Sequence, residues 1–138
     1  MADTRKIVRP LSPHLQIYRP QLTSITSILT RITGNGLIVG AILVVWWLFA
    51  MTRGGTQFAL IDGIGETYFN FADAILRSWF GKIVLTLSLW AVWYHYLAGL
   101  RHLWFDAGRG LDIKTAEKLG WGCIIGSVVL TVLTFFVI

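Results

Sequence analysis

Three long apolar runs fill most of this chain and leave few folds open to it. They cover residues 37–51, 83–100 and 119–138, and small residues extend the first back to Ile28. Each can supply the roughly 20 residues that cross a hydrocarbon core about 30 Å thick. With three such spans, a chain of 138 residues has no length left for a soluble catalytic domain. Only 14% of its residues are charged, against about a quarter in soluble domains, and its mean hydropathy is +0.65. The expected fold is an all-α membrane protein, one domain over residues 1–138. It has an arm at 1–26, transmembrane helices at 27–51, 83–104 and 119–138, and a short interfacial helix between the first two spans.

Basic residues fall unevenly around these spans. Arg5, Lys6, Arg9, Arg19, Arg31, Arg101, Arg109, Lys114 and Lys118 lie on the N-terminal side or between the second and third spans. Arg53, Arg77 and Lys82 lie between the first two. The positive-inside rule then places the N-terminus and the second connection in the cytoplasm and the C-terminus in the periplasm. The net charge of +5 is read as membrane orientation, with lipid rather than nucleic acid as the partner. The first residues carry no secretory-signal pattern, and Asp3 and three prolines fit a transit peptide poorly. A chain beginning near Met1 in a bacterial inner membrane is expected. The single cysteine, Cys123, excludes an internal disulfide and any multi-cysteine metal site built by this chain alone. It reads as a buried, inert thiol.

Pro10, Pro13 and Pro20 make RPLSPHLQIYRPQ a poor helix and predict an extended segment lying on a surface. Farther on, Glu66, Asn70, Asp73 and Arg77 share one helical face, and Tyr68, Ala72, Ile75 and Trp79 another. Asp73 and Arg77 are spaced for an ion pair, so the segment reads as an amphipathic helix in the interface, with a plain loop as the alternative. Gly36 with Gly40, and Gly122 with Gly126, are GxxxG pairs whose faces are expected to be packed. Trp46, Trp47, Trp104 and Trp121 near the span ends suit an aromatic belt.

Within the second apolar run, WYHYLAGLRHLWFD places His95, Gly99, His102 and Asp106 at i, i+4, i+7 and i+11, one stripe on one helical face. Ionisable groups are expensive near hydrocarbon, so such a stripe faces protein, a cofactor or water. His95 is open to two readings. It is an axial ligand of a b-type haem, with Gly99 leaving room for the macrocycle, or a histidine hydrogen-bonded to a neighbouring helix. The small residues Ser88 and Ala91 before it suit a haem edge and a packed helix alike. His102 lies about 10 Å farther along the axis, too far for both histidines to ligate opposite faces of one iron. One chain therefore offers one good axial position. His102 and Arg101 are placed as haem-propionate or surface partners, and Arg101 could equally snorkel to lipid phosphates. His14, in the arm, reads as an exposed contact residue.

Ser24, Ser27, Arg31 and Gly34 form a second stripe at i, i+3, i+7 and i+10. A hydroxyl one turn before an arginine at the membrane boundary could hydrogen-bond a quinone carbonyl, the guanidinium stabilising developing negative charge. A serine helix cap with a basic anchor is the alternative.

Two segments together resemble the large cytochrome b anchor subunits of succinate dehydrogenase, respiratory complex II. They are RPLSPHLQIYRPQLTSITSILTRITG, with Arg9, Pro10, Ser12, Pro13, His14, Leu15, Ile17, Tyr18, Ser27, Arg31, Thr33 and Gly34, and HYLAGLRHLWFD, with His95, Gly99, Arg101, His102, Leu103 and Asp106. The order of the blocks, the number of spans and the length all match. The resemblance implies that His95 is a haem b ligand, with a second histidine from a small anchor subunit packed beside this chain. It implies a ubiquinone site lined by Ser27 and Arg31, an arm lying on an iron–sulfur subunit, and a flavoprotein subunit whose FAD oxidises succinate. The chain would carry electrons between the tricarboxylic acid cycle and the respiratory chain and do no carbon chemistry itself. One position departs from the pattern: Thr30 stands where many members have a histidine, which puts that contact with haem propionates and quinone in doubt. Competing readings are a fumarate reductase anchor and a non-redox structural membrane subunit whose polar stripe only pairs helices.

Overall fold

Pro20 sets where the first helix begins. Proline disfavours a helical residue before it and has no N–H to give, so the helix starts just beyond it, at Leu22. In the computed structural model, which describes residues 19–54 and 64–137, the elements are α1 (Leu22–Gly54), α2 (Ile64–Arg77), α3 (Trp79–Asp106) and α4 (Ile113–Val137). No strand occurs among the described residues. α1, α3 and α4 are each long and apolar enough to cross a membrane. Each extends past the span expected from the sequence, because hydropathy drops at the first charged residue while backbone hydrogen bonding does not. Lys114, Glu117 and Lys118, for instance, sit in the opening turns of α4. Most of the expected arm, residues 1–18, lies outside the described residues.

The helices meet on small residues. α1 buries Thr26, Thr33, Gly40 and Ala50, which share one face, and α4 buries Gly120, Cys123, Ser127 and Thr131. α3 lies between them and buries Gly81, Ala91, Tyr94 and Ala98. Lipid tails are as apolar as leucine, so close backbone approach and hydrogen bonds, not water exclusion, hold such helices together. Large side chains point outward instead, with Ile42 62% and Val45 63% exposed. Between α3 and α4, Tyr94, Ala98 and Cys123 form a cluster flanked by Leu29, Trp90, Leu97 and Ile124. The indoles of Trp90 and Trp93 donate to Ser127 Oγ at 3.1 Å and Thr134 Oγ1 at 3.0 Å, tying the two helices.

α2 forms as the amphipathic spacing predicts. Asp73 and Arg77 pair at 2.6 Å on its outer face, and Ala72 is fully buried on the other. The Trp46 indole donates to Tyr68 and packs edge-on against Phe71, fixing α2 to the end of α1. Trp79 does not continue this apolar face. The chain turns at Ser78, whose hydroxyl donates to Ile75 O and accepts from Gly81 N, capping α3. Trp79 therefore opens a new helix and is 80% exposed. Gly81 is required at this corner, since a β-carbon there would fall on the carbonyl oxygens of Ile75 and Leu76.

α3 returns into α4 through Gly108 (φ +70°) and Gly110 (φ +71°), left-handed positions that favour glycine. Asp112 caps α4, its Oδ2 accepting from Thr115 N at 2.9 Å. That backbone donor, first among its causes, holds the Asp112 carboxyl below the ordinary carboxylate range. The GxxxG faces are only half packed. Gly40 lies against Ser88, and Gly126 against Leu97, but a β-carbon on Gly36 or Gly122 would meet no atom within 4 Å. Gly36 and Gly122 instead line grooves of about 360 Å³ and 280 Å³.

Candidate functional site

Ser27 and Arg31 lie inside α1, more than a turn past its first residue, so Ser27 does not cap the helix. Both are exposed. They continue the face of Gly34, whose missing β-carbon would stand 3.2 Å from Cε1 of His95. α1 and α3 run antiparallel, and Ser27, Arg31, Gly34 and His95 thus lie along one flank of the α1–α3 pair. His102 is exposed two turns beyond His95 on the same stripe of α3.

His95 itself is half-buried. Its Nδ1 approaches Thr33 Oγ1 at 3.5 Å, the long limit of a hydrogen bond. The Thr33 hydroxyl already donates to Leu29 O at 2.8 Å, which leaves its oxygen open to accept from a protonated Nδ1. In the tautomer with the proton on Nδ1, Nε2 keeps its lone pair, the form that ligates a metal. No hydrogen bond to Nε2 occurs among the described residues. A β-carbon on Gly99, one turn on, would meet nothing within 4 Å, so the face beside the ring stays bare. These features fit an axial haem ligand: an imidazole lying beside Thr33 and Gly34, an Nε2 with no hydrogen bond among the described residues, and glycine where a flat group must approach. The expected lane of small residues is divided, however. Ser88 is used against Gly40 in helix packing, and Ala91 is buried. Among the described residues no three of His, Cys, Asp and Glu gather to hold a bare metal ion.

Arg101 is turned another way. Its Nη1 donates to Thr26 Oγ1 at 2.8 Å, and its guanidinium lies 5.0 Å from the Phe105 ring centre. Its Nε is buried without a hydrogen-bond partner among the described residues. Thr26 is fully buried, and its carbonyl accepts from Tyr94 Oη at 3.1 Å and from Thr30 Oγ1 at 2.8 Å. Thr30, which replaces the expected histidine, thus spends its hydroxyl on its own helix. The junction of Thr26, Tyr94 and Arg101 is absent from the sequence reading. Its signal was present: Thr26, Thr33 and Gly40 recur every seven residues, a small-residue seam.

The comparisons agree with this architecture. The family described as succinate dehydrogenase/fumarate reductase transmembrane subunit matches residues 5–134. The succinate dehydrogenase cytochrome b556 subunit of Paracoccus denitrificans is 53% identical over 137 residues, 99% of this chain and 97% of the relative. That of Rickettsia conorii is 38% identical over 125 residues, covering 91% and 89%. The cytochrome b560 subunit of Marchantia polymorpha is 37% identical over 120 residues, covering 83% and 80%. The fold defines a multi-pass membrane protein with a polar flank. The chain belongs to the succinate dehydrogenase/fumarate reductase transmembrane subunit family, as a cytochrome b anchor of the succinate dehydrogenase complex.

Proposed function

We propose that this chain helps to bind haem b and to form a ubiquinone site that receives electrons from an iron–sulfur subunit. The observation that carries the reading is the single flank shared by Ser27, Arg31, Gly34 and His95, with the ring of His95 beside Thr33 and no hydrogen bond to its Nε2 among the described residues. His95 would hold the haem iron, with a histidine of a smaller anchor subunit as the second ligand. Haem supplies a one-electron carrier beside the quinone site. His102, exposed toward the cytoplasmic end, is the partner for its propionates, and Arg101, expected from the sequence to share that role, is held on Thr26 instead. The names of these relatives, cytochrome b556 and b560 subunits of succinate dehydrogenase, support this reading.

Ser27 hydrogen-bonds a quinone carbonyl, and Arg31 stabilises the negative charge that develops as electrons arrive. Succinate is oxidised at the FAD of a flavoprotein subunit, so this chain is an electron-transfer subunit and not an enzyme on its own. The nine basic residues on one side of the membrane support a cytoplasmic N-terminus in a bacterial inner membrane.

The test is an optical spectrum of the purified complex. His95→Leu should remove or gravely alter the reduced b-type bands, and His102→Leu should leave the low-spin spectrum recognisable. An unchanged spectrum in His95→Leu, or no haem in the native complex, overturns the assignment.

A further inference from the structure

Four residues of the proposed site each follow a residue buried in or bonded across the helix interface. Thr26 precedes Ser27, Thr33 precedes Gly34, Tyr94 precedes His95, and Arg101 precedes His102, while Arg31 lies one turn from Ser27 on the same face. Consecutive residues on a helix are turned by about 100° and displaced by about 1.5 Å. Whatever fixes the inner residue therefore fixes the direction and height of the outer one.

The α1–α3 seam needs such a device. Its buried α1 residues near the site, Thr26, Thr33 and Gly40, are all small, and Leu29 is the one large α1 side chain packed on the Tyr94 cluster among the described residues. A smooth seam of small residues brings backbones close but resists sliding or rotation poorly, and membrane helices gain little from apolar contact with each other. Thr26 supplies the missing lock. Its carbonyl takes the Tyr94 hydroxyl, and its own hydroxyl takes the Arg101 guanidinium, two turns farther along α3. Two anchor points from α3 on one α1 residue oppose both translation and rotation. Tyr94 is itself held by the cluster with Ala98 and Cys123, so the lock is referred to the α3–α4 pair.

We propose that Thr26, Tyr94 and Arg101 form a positioning lock that sets the register of α1 on α3, and through it the placement of Ser27 and Arg31 relative to His95. These three act through their neighbours in sequence. The proposal rests on the functional reading above and adds to it the element that makes the site a fixed geometry.

The test uses the assembled complex carrying Tyr94→Phe, Thr26→Val or Thr26→Ser. Phenylalanine keeps the ring and its packing, valine keeps the shape without the hydroxyl, and serine restores the hydroxyl. Two quantities are measured: the low-spin electron paramagnetic resonance signal of the oxidised haem, and KM against kcat for a short-chain ubiquinone. Tyr94→Phe and Thr26→Val should shift the haem signal and raise the quinone KM by roughly threefold to tenfold, the ratio that one net hydrogen bond supports. Thr26→Ser should return both toward the native values. Native signal and KM in Tyr94→Phe and Thr26→Val overturn the lock. So does a reduced yield of complex whose surviving fraction has native signal and KM, since that is helix packing alone. Ser27→Ala and His95→Leu are measured in parallel. If these are silent, the functional reading has failed; if they act and the lock variants do not, only the lock has failed.

Discussion

Gly34 of α1 lies against the imidazole of His95 of α3, so close that a β-carbon would stand 3.2 Å from Cε1. The size of the residue at position 34 therefore sets the room left for the ring. An alanine there requires the ring to yield by a few tenths of an ångström, and a larger side chain requires it to rotate. Gly34→Ala should keep haem with a small spectral shift, and Gly34→Leu should lower the haem content of the purified complex steeply. The ratio of reduced haem absorbance to protein measures both. Full haem content in Gly34→Leu would mean that His95 is not held against this flank.

A second close approach concerns assembly rather than chemistry. A β-carbon on Gly40 would fall 2.6 Å from Ser88 Oγ and 2.9 Å from Ser88 Cβ. Gly40→Ala should therefore push α1 off α3, at an overpacking cost of about 1–3 kcal/mol. Removing the opposing atoms in Gly40→Ala/Ser88→Gly should recover most of it. Thermal inactivation midpoints in detergent report the two variants, and equal midpoints for single and double variants would show that the pair does not meet. Gly81→Ala has no such rescue, because its obstacle is the backbone of α2.

The periodicity of the sequence made the three spans, the amphipathic α2 and the Asp73–Arg77 pair legible, since each repeats at helical spacing over several turns. The stripes 95–99–102 and 27–31–34 were each legible on their own helix. What could not be read was how stripes on different helices are phased against each other. Arg101 and His102 are adjacent and were assigned together, yet the structure turns Arg101 onto Thr26 and leaves His102 exposed. Helical phase separates neighbours by about 100°, and only the partner helix decides which of the two faces inward. The same holds for Trp79, cut from the α2 face by the Ser78 corner, and for Gly36 and Gly122, which border grooves where close contacts were expected.

At the start of α4, acid should loosen the helix. The Thr115 N–H favours the charged form of Asp112, so its folded pKa lies below the unfolded value of about 3.9. A lowered carboxylate pKa contributes stability that is present above the unfolded value and lost as pH falls through the folded one. Amide exchange at Thr115, corrected for its intrinsic rate, should therefore quicken as pH drops below about 4. Asp112→Asn keeps an acceptor without the titrating group and should flatten that dependence. An equal acid response in both proteins would assign it to another group.

Arg31 offers the sharpest test of the proposed quinone chemistry, because charge and geometry can be separated there. It is exposed on the flank of Gly34 and His95, one turn beyond Ser27. A lysine preserves the positive charge but loses the planar fork of donors, and an alanine loses both. If Arg31 stabilises the charge that develops on the quinone, ubiquinone reduction should fall by roughly tenfold or more in Arg31→Ala, the scale of one charge-assisted hydrogen bond. Arg31→Lys should recover part of that loss. Ser27→Ala should raise the quinone KM and weaken inhibitors that compete with quinone. Succinate oxidation by the same preparations, assayed with an artificial acceptor at the flavoprotein subunit, should stay near native in all three, which excludes failed assembly as the cause. Normal ubiquinone turnover and inhibitor sensitivity in fully assembled Arg31→Ala and Ser27→Ala complexes would leave Arg31 as a basic anchor at the membrane boundary and move the quinone elsewhere.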